Sequence, residues 1–309
     1  MMRVLGLDTS NYTTSAAVFD GTGGHNASRL LDVPEGGLGL RQSDALFQHV
    51  KRLPERMAAL KEQGMLDSIS AVGASTRPRE AEGSYMPCFL AGESLGRCLA
   101  DTLQVPFYAW SHQQGHLAAA AWSAGRTELL DAPFLAWHLS GGTTELLLVR
   151  PEGAAVHAEC IGGTEDISAG QLIDRTGKKL GLAFPAGKAL DALSLESESK
   201  ERFRVRTRGL QFSLSGMENK MNELAAQGRG KEDIAAFVLN TLADVLCRVT
   251  EEAQKEHSGL PVLCSGGVAS NSRLRETLSQ RCGAVFAQPQ YATDNAMGTA
   301  ILTYRQQEG

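Results

Sequence analysis

Residues 3–19, RVLGLDTSNYTTSAAVF, and residues 134–149, FLAWHLSGGTTELLLV, decide how the chain is read. In the first, Arg3 to Leu7 alternates toward a strand and Thr14 to Phe19 makes a second one. Their link, Asp8-Thr9-Ser10-Asn11-Tyr12-Thr13, is rich in small polar turn formers. In the second stretch, Phe134 to Leu139 and Glu145 to Val149 flank Ser140-Gly141-Gly142-Thr143-Thr144 in the same way. Sliding the first by 130 residues (140 − 10) lays Ser10 on Ser140, Thr13-Thr14 on Thr143-Thr144, and Leu5 and Leu7 on Leu135 and Trp137. A restart near the midpoint is where a duplicated unit would begin again. At roughly 150 residues per domain, the 309 residues hold two such units.

Outward from these stretches, strands and helices alternate, the pattern of an α/β architecture. Ser43 is placed to cap a helix with Leu46, Val50, Leu53, Met57 and Leu60 on its apolar face, Pro54 as a kink and Gly64 as its stop. A buried strand from Ile69 to Ser75 follows, then a helix from Phe89 to Leu103, a strand from Pro106 to Trp110 and a helix capped by Ser111. The second half predicts helices from Ser168 to Leu180, Gly187 to Leu195, Gly216 to Ala226 and Lys231 to Glu256. In the last of these Ile234, Val238, Leu242, Val245 and Val249 form one core face. A strand from Leu260 to Cys264 runs into Ser265-Gly266-Gly267-Val268-Ala269-Ser270-Asn271 and a helix from about Ser272.

Composition is globular, with 42% apolar and 21% charged residues, and rules out a disordered chain or a coiled coil. Glycine stands out at 33 residues, above the typical ~7%, and it clusters in short loops where backbone can close on a ligand. With 30 Lys+Arg against 35 Asp+Glu the net charge is −5, so any RNA contact needs a local basic strip. Arg202, Arg204, Arg206 and Arg208 alternate and would share one face of a strand, which also reads as an ordinary solvated face. The six cysteines form no closely spaced pair, as expected of reduced thiols in a cytoplasmic protein. Met1 to Leu7 is too short for a signal-peptide core and no 18-residue apolar run occurs, so no membrane partner is expected.

The sharpest chemical feature is His112-Gln113-Gln114-Gly115-His116. Two histidines four apart on a helix share a face and can bring both imidazoles to one metal, although one core and one surface histidine share that spacing too. A zinc peptidase needs glutamate directly after the first histidine; Gln113 cannot take a proton, so that reading loses its base. Asp294, in Thr293-Asp294-Asn295, can supply a third ligand or simply open a C-terminal helix. Asp174 and Asp191 can accept hydrogen bonds from ribose hydroxyls, or be exposed helical aspartates. The strand, Gly266-Gly267 loop and helix unit is a ready phosphate or nucleotide site, or a glycine turn of purely structural use.

In their order and spacing, several segments resemble one family along nearly the whole chain, the tRNA threonylcarbamoyladenosine transferases of TsaD type, formerly described as O-sialoglycoprotein endopeptidases. These are Leu5-Gly6-Leu7-Asp8-Thr9-Ser10, His112 to Ala118, Ser140-Gly141-Gly142, Ala169-Gly170, Asp174, Leu180-Gly181-Leu182 with Pro185 and Gly187, Phe212 to Gly216, Gly266 to Ala269, Asn271 to Arg275, and Thr293-Asp294-Asn295. The resemblance implies the duplicated actin, sugar kinase and Hsp70 type of fold, with two α/β lobes and a nucleotide cleft between them. The lobes would span residues 1–125 and 126–293, with a C-terminal helix over 294–307 packing back on the first. It implies one iron or zinc ion on His112, His116 and Asp294. Threonylcarbamoyl-AMP, or ATP or ADP as an analogue, would be held by Ser140, Gly141, Gly142, Thr143 and Thr144 at the acyl and phosphate end, by Asp174, Gly187 and Asp191 at the ribose, and by Gly266, Gly267 and Asn271 at the adenosine. Asp8, Ser140 and Thr143 would be its catalytic positions. Implied partners are tRNA, a TsaB-like paralogue and a TsaE-like ATPase.

Several positions depart from the family pattern. Tyr12-Thr13 stands where an acidic pair is usual, Ser75-Thr76-Arg77-Pro78-Arg79 replaces a Gly-Pro-Gly loop, and Gln114 and Gln171 replace acidic residues. Thr143 replaces His or Asn, and Met217-Glu218-Asn219 replaces Leu-Lys-Thr. Metal and ribose positions match while acyl- and tRNA-facing positions differ, the pattern of a divergent paralogue. Three functions are therefore weighed: threonylcarbamoyl transfer to tRNA, a nucleotide- and metal-binding scaffold or regulator, and a small-molecule phosphotransferase. The last ranks lowest, because His138-Leu139-Ser140-Gly141-Gly142 lacks the aspartate such kinases use.

Overall fold

The computed structural model describes residues 2–10, 12–33 and 40–309. Met1 and Asn11, which belong to the readings above, lie outside the described residues, as do residues 34–39. The first repeat folds as β1 (Arg3–Asp8), β2 (Thr13–Phe19) and β3 (Gly24–Leu30), joined by β4 (Ile69–Arg77) and β5 (Phe107–Ser111), in the sheet order β3-β2-β1-β4-β5. The second supplies β6 (Phe134–Leu139), β7 (Thr144–Glu152), β8 (Ala155–Thr164), β9 (Thr207–Arg208), β10 (Gln211–Phe212), β11 (Val262–Ser265) and β12 (Val285–Phe286), ordered β12-β11-β6-β7-β8-β10-β9. Read from β8 to β12, this is the first sheet's order again, with two short strands added at one edge.

The duplication extends to register. Leu5 pairs with Val18 and Asp8 with Ser15; Leu135 pairs with Leu148 and His138 with Glu145, so the 130-residue slide preserves every cross-strand partner. In the parallel neighbours Leu7 lies beside Ala74 and Trp137 beside Cys264. One extra pair, Leu139 with Thr144, tightens the second turn. β1 and β6 are buried almost throughout and covered on both faces, which is why they read as near-continuous apolar runs.

The helices are α1 (Gln42–Glu62), α2 (Phe89–Leu103), α3 (His112–Ser123), α4 (Ala169–Leu180), α5 (Gly187–Ser194), α6 (Ser215–Ala226), α7 (Lys231–Glu256), α8 (Ser272–Cys282) and α9 (Met297–Glu308). Two compact units result. One comprises Met1–Ala132, Arg150–Ala158 and Thr293–Gly309, the other Pro133–Val149 and Glu159–Ala292. In the first, Leu5, Leu7, Val18, Leu53, Leu60 and Val72 form the core. In the second, all five predicted residues of the α7 face are buried and pack around Leu135, Trp137 and Leu172.

Some expectations change. The α1 N-cap is Arg41, not Ser43, and Val50 is exposed; the buried face includes His49 and Arg52. Polar partners make this possible, since His49 Nδ1 lies 2.8 Å from Thr14 Oγ1 and Arg52 binds Asp32 and the Leu30 carbonyl. Only Thr207–Arg208 of the arginine segment forms a strand. The four arginines are exposed around a buried Val205, but Arg202 is paired with Asp244 and Arg208 with Glu165. A 3₁₀ turn over Gly267–Ser270 separates the Gly-Gly loop from α8. α9 begins at Met297 rather than at 294, because Asn295 Oδ1 accepts the Met297 N–H and ends the preceding loop. None of the six cysteines is in a disulfide. No helix among the described residues is long and apolar enough to cross a membrane.

Candidate functional site

α3 starts where the sequence places it. Ser111 and Gln114 form a capping box, each side chain bonded to the other's backbone N–H. Glutamine and glutamate serve equally at this position, so Gln114 in place of an acid keeps the cap. α4 repeats the device with Ser168 and Gln171. α3 then crosses α9 at two glycines. A methyl group on Gly298 would sit 1.7 Å from the Gly115 carbonyl oxygen, so only glycine permits this approach.

That crossing brings the loop before α9 against the histidines. His116 Nε2 lies 2.9 Å from His112 Nε2 and 3.2 Å from Asp294 Oδ1, and His112 Nε2 lies 3.4 Å from the same oxygen. Two imidazole nitrogens and one carboxylate oxygen within 4.8 Å of one another form a donor set suited to zinc or iron. His112 turns its other nitrogen to Asp8, Nδ1 to Oδ2, at 2.8 Å. This carboxylate–histidine pairing is what oriented metal ligands use. Burial opposes charge on His112, but Asp8 and Asp294 outweigh it and raise the ring to about 10. Burial likewise pushes Asp294 up, and hydrogen bonds and charge from both histidines hold it well below the ordinary carboxylate value.

Asp8, 1% exposed, lies beneath the cluster rather than at its surface. Its Oδ1 accepts the Ser10 N–H at 3.0 Å, and its Oδ2 accepts the Ser75 hydroxyl at 2.6 Å as well as facing His112. Desolvation of Asp8 is overcome by His112 and Ser75, which keep it below the usual range. The sequence reading places Ser75 at the end of a buried strand and in a loop that departs from the family pattern but gives it no role, because a serine inside a buried strand carries no periodic or motif signal.

The second unit gathers the glycine loops. Ser140 Oγ accepts the Thr143 N–H at 3.1 Å. The Ser168 hydroxyl donates to the Gly141 carbonyl at 2.6 Å, and Thr144 Oγ1 accepts the Ala169 N–H at 2.8 Å. Gly170 abuts Gly141, and Gly266, at φ +94°, abuts the Leu139 backbone. Around Gly141, Gly142, Gly187 and Gly267 there is open space where a Cβ would be, so backbone there is free to approach a ligand. The ribose candidates are partly engaged. Asp174 Oδ1 accepts the Ala186 N–H at 2.8 Å, just before Gly187, and Asp191 accepts the N–H and hydroxyl of Ser272. Asn271 caps α8 through the Leu274 N–H. Asp166, absent from the sequence reading, binds both Ser213 and Ser215 hydroxyls and the Leu214 and Ser215 N–H groups. Burial pushes Asp166 up, but these four bonds win and depress it. Glu218, where the family pattern has lysine, pairs with Arg175 at 2.7 Å.

A sequence model of one family, described as TsaD: tRNA N6-adenosine threonylcarbamoyltransferase, matches residues 36–301. Among solved structures, full-length HypF in its phosphate- and nucleotide-bound form aligns at TM-score 0.65 and 14% identity, over 99% of this chain and 47% of that one. The chain thus spans about half the length of that relative. The activator of 2-hydroxyisocaproyl-CoA dehydratase from Clostridium difficile, with bound ADPNP, aligns at TM-score 0.54 and 14% identity over 99% and 96% of the two chains. A ROK hexokinase from Thermus thermophilus aligns at TM-score 0.53 and 14% identity over the full length of both. At this identity the likeness shows the fold, that of the actin-like ATPases.

Proposed function

The chain belongs to the TsaD family, and from that premise we propose that it transfers a threonylcarbamoyl group from threonylcarbamoyl-AMP to the exocyclic amine of a tRNA adenosine. In this reaction the amine nitrogen bonds to the carbamoyl carbon, the bond from that carbon to the phosphate oxygen breaks, AMP departs, and the amine loses a proton.

The convergence of His112, His116 and Asp294 above a buried Asp8 carries this reading. These three residues would hold a divalent ion, which when bound supplies Lewis-acid and anchoring charge for substrate oxygens. Asp8 holds the His112 ring so that Nε2 faces the other two ligands. In the second unit, open backbone at Gly141 and Gly142 and the N-terminus of α4 suit a phosphate. Gly187 and Gly267 leave room for the rest of the nucleotide. Asp174 and Asp191 shape that surface by fixing the Ala186 and Ser272 backbone.

Two departures from the family pattern weaken nothing, since Gln114 and Gln171 perform the capping that an acid would perform. The test is direct. Purified protein given threonylcarbamoyl-AMP and tRNA should yield the modified nucleoside by mass spectrometry, and His112→Ala should abolish it. No product even with TsaB-like and TsaE-like proteins added would reject the transferase. The scaffold reading draws on Glu218, whose charge is committed to Arg175 and reverses the family's basic position. It predicts adenine-nucleotide binding that survives His112→Ala, without turnover in either protein.

A further inference from the structure

The two copies of the repeat place a serine at the same point. Ser75 follows Ala74 beside β1, and Ser265 follows Cys264 beside β6. In the second copy the Ser265 hydroxyl, among the described residues, donates to the Trp137 carbonyl at 3.4 Å. In the first copy the neighbouring position is Asp8, and the Ser75 hydroxyl donates to its Oδ2 at 2.6 Å. Ser75 Oγ also lies 3.0 Å from Thr299 Oγ1. A hydroxyl has one proton. Ser75 gives its own to the Asp8 carboxylate, so the Thr299 hydroxyl must donate to Ser75. The order of donors is then fixed: Thr299 to Ser75, Ser75 to Asp8, with His112 Nδ1–H donating to the same Asp8 oxygen. All three of Asp8, Ser75 and Thr299 are buried, so water does not substitute for any link.

The chain of contacts joins segments far apart in sequence. Thr299 lies on α9, five residues after Asp294, while Asp8 orients His112. Ser75 therefore couples the orienter of one candidate ligand to the helix that follows another. We propose that Ser75 is a positioning residue for the metal centre, fixing through Asp8 the ring orientation and tautomer that leave His112 Nε2 free to ligate. This inference rests on the reading of His112, His116 and Asp294 as a metal site. Carboxylates and other groups behind a ligating histidine typically contribute about 10–100-fold to metal affinity, and Ser75, one bond further out, belongs at the lower end.

The experiment measures Zn²⁺ affinity of the full chain by competition with a chromophoric chelator, together with the melting temperature of the metal-free protein. Ser75→Ala should weaken Zn²⁺ binding about tenfold. In an Asp8→Asn background the same substitution should change affinity less than twofold, because both act through one carboxylate. If Ser75→Ala does not fold, Thr299→Val, which keeps the side-chain shape, should weaken Zn²⁺ by a smaller but measurable factor. Unchanged affinity in the folded variant, or full additivity with Asp8→Asn, overturns the proposal. His116→Ala separates the two levels. If it abolishes Zn²⁺ binding while Ser75→Ala does not weaken it, only the Ser75 role fails; if it leaves Zn²⁺ binding intact, the metal site fails with it.

Discussion

The turn after β1 and the turn after β6 occupy matching places in a duplicated sheet, yet they do different work. Both use a threonine at the end of the turn to tie down the helix after the third strand. Thr14 Oγ1 meets His49 of α1, and Thr144 Oγ1 accepts the Ala169 N–H that opens α4. Beyond this anchor they diverge. The first turn is backed by the carboxylate of Asp8, which faces His112 and Ser75. The second has His138 at that point and two glycines with open space around them. One copy supplies charge to a side-chain cluster, and the other supplies bare backbone. A duplicated scaffold can therefore specialise by changing single side chains at conserved register positions, since the sheet fixes where each one lies.

This contrast can be broken at several points. The largest effect is expected from His116→Ala or Asp294→Asn, which should remove metal binding and bring transfer activity below detection while the far-ultraviolet spectrum stays native. Retained activity would mean that the first copy's charge cluster is not the reactive centre. Next comes a pH difference between the anchors. Burial lowers His49 from 6.5 to about 4, so the folded state binds this proton less readily than the unfolded chain. Stability linked to His49 is full above about 6.5 and falls as pH drops toward 4, by on the order of 3 kcal/mol at full effect. Urea midpoints across this range should fall, and His49→Gln should flatten that limb. The second anchor has no titrating partner, so Thr144→Val should leave the limb in place.

Smaller effects test the packing. Gly298→Ala should cost about 1–3 kcal/mol in chemical denaturation, from overpacking at the α3–α9 crossing, and should weaken metal binding with it. A neutral result would show that the crossing does not fix the position of Asp294. Thr144→Val leaves the buried Ala169 N–H unpaired and should cost about 1–2 kcal/mol. Thr14→Val leaves Nδ1 of the buried His49 ring unpaired and should cost a similar amount.

Much of this was legible beforehand. The 130-residue slide captured the strand register in both copies, and Phe89–Leu103 and Lys231–Glu256 match their helices end to end. Those segments are long and strongly patterned, although neither has a side-chain N-cap. β3 was missed because residues 24–30 are mostly polar or half-exposed at a sheet edge. Val50 was misplaced because periodicity assigns apolar residues to the core, whereas the α1 interior is organised by His49 and Arg52. The arginine segment alternates as expected but lacks a strand partner over most of its length, which local pattern cannot disclose.

The candidate site divides in the same way. His112 and His116 share a helix face by spacing alone, and the glycine loops follow from composition and position. Asp294 could be named from the sequence as a candidate third ligand, with a helix cap as the alternative, and the family resemblance favoured the ligand; its approach to the histidines depends on Gly115 and Gly298 letting two helices touch. Asp166 and Ser75 had no signal, since each acts through partners about 50 and 70 residues away. The sequence by itself determined the repeated strand-turn-strand unit, its register and the helical histidine pair, because these depend on side-chain period and local capping. Only the tertiary structure decided that Asp8, Ser75, Thr299 and Asp294 close on that pair, because hydrogen bonds between buried groups distant in the chain depend on which surfaces the sheet and helices bring together.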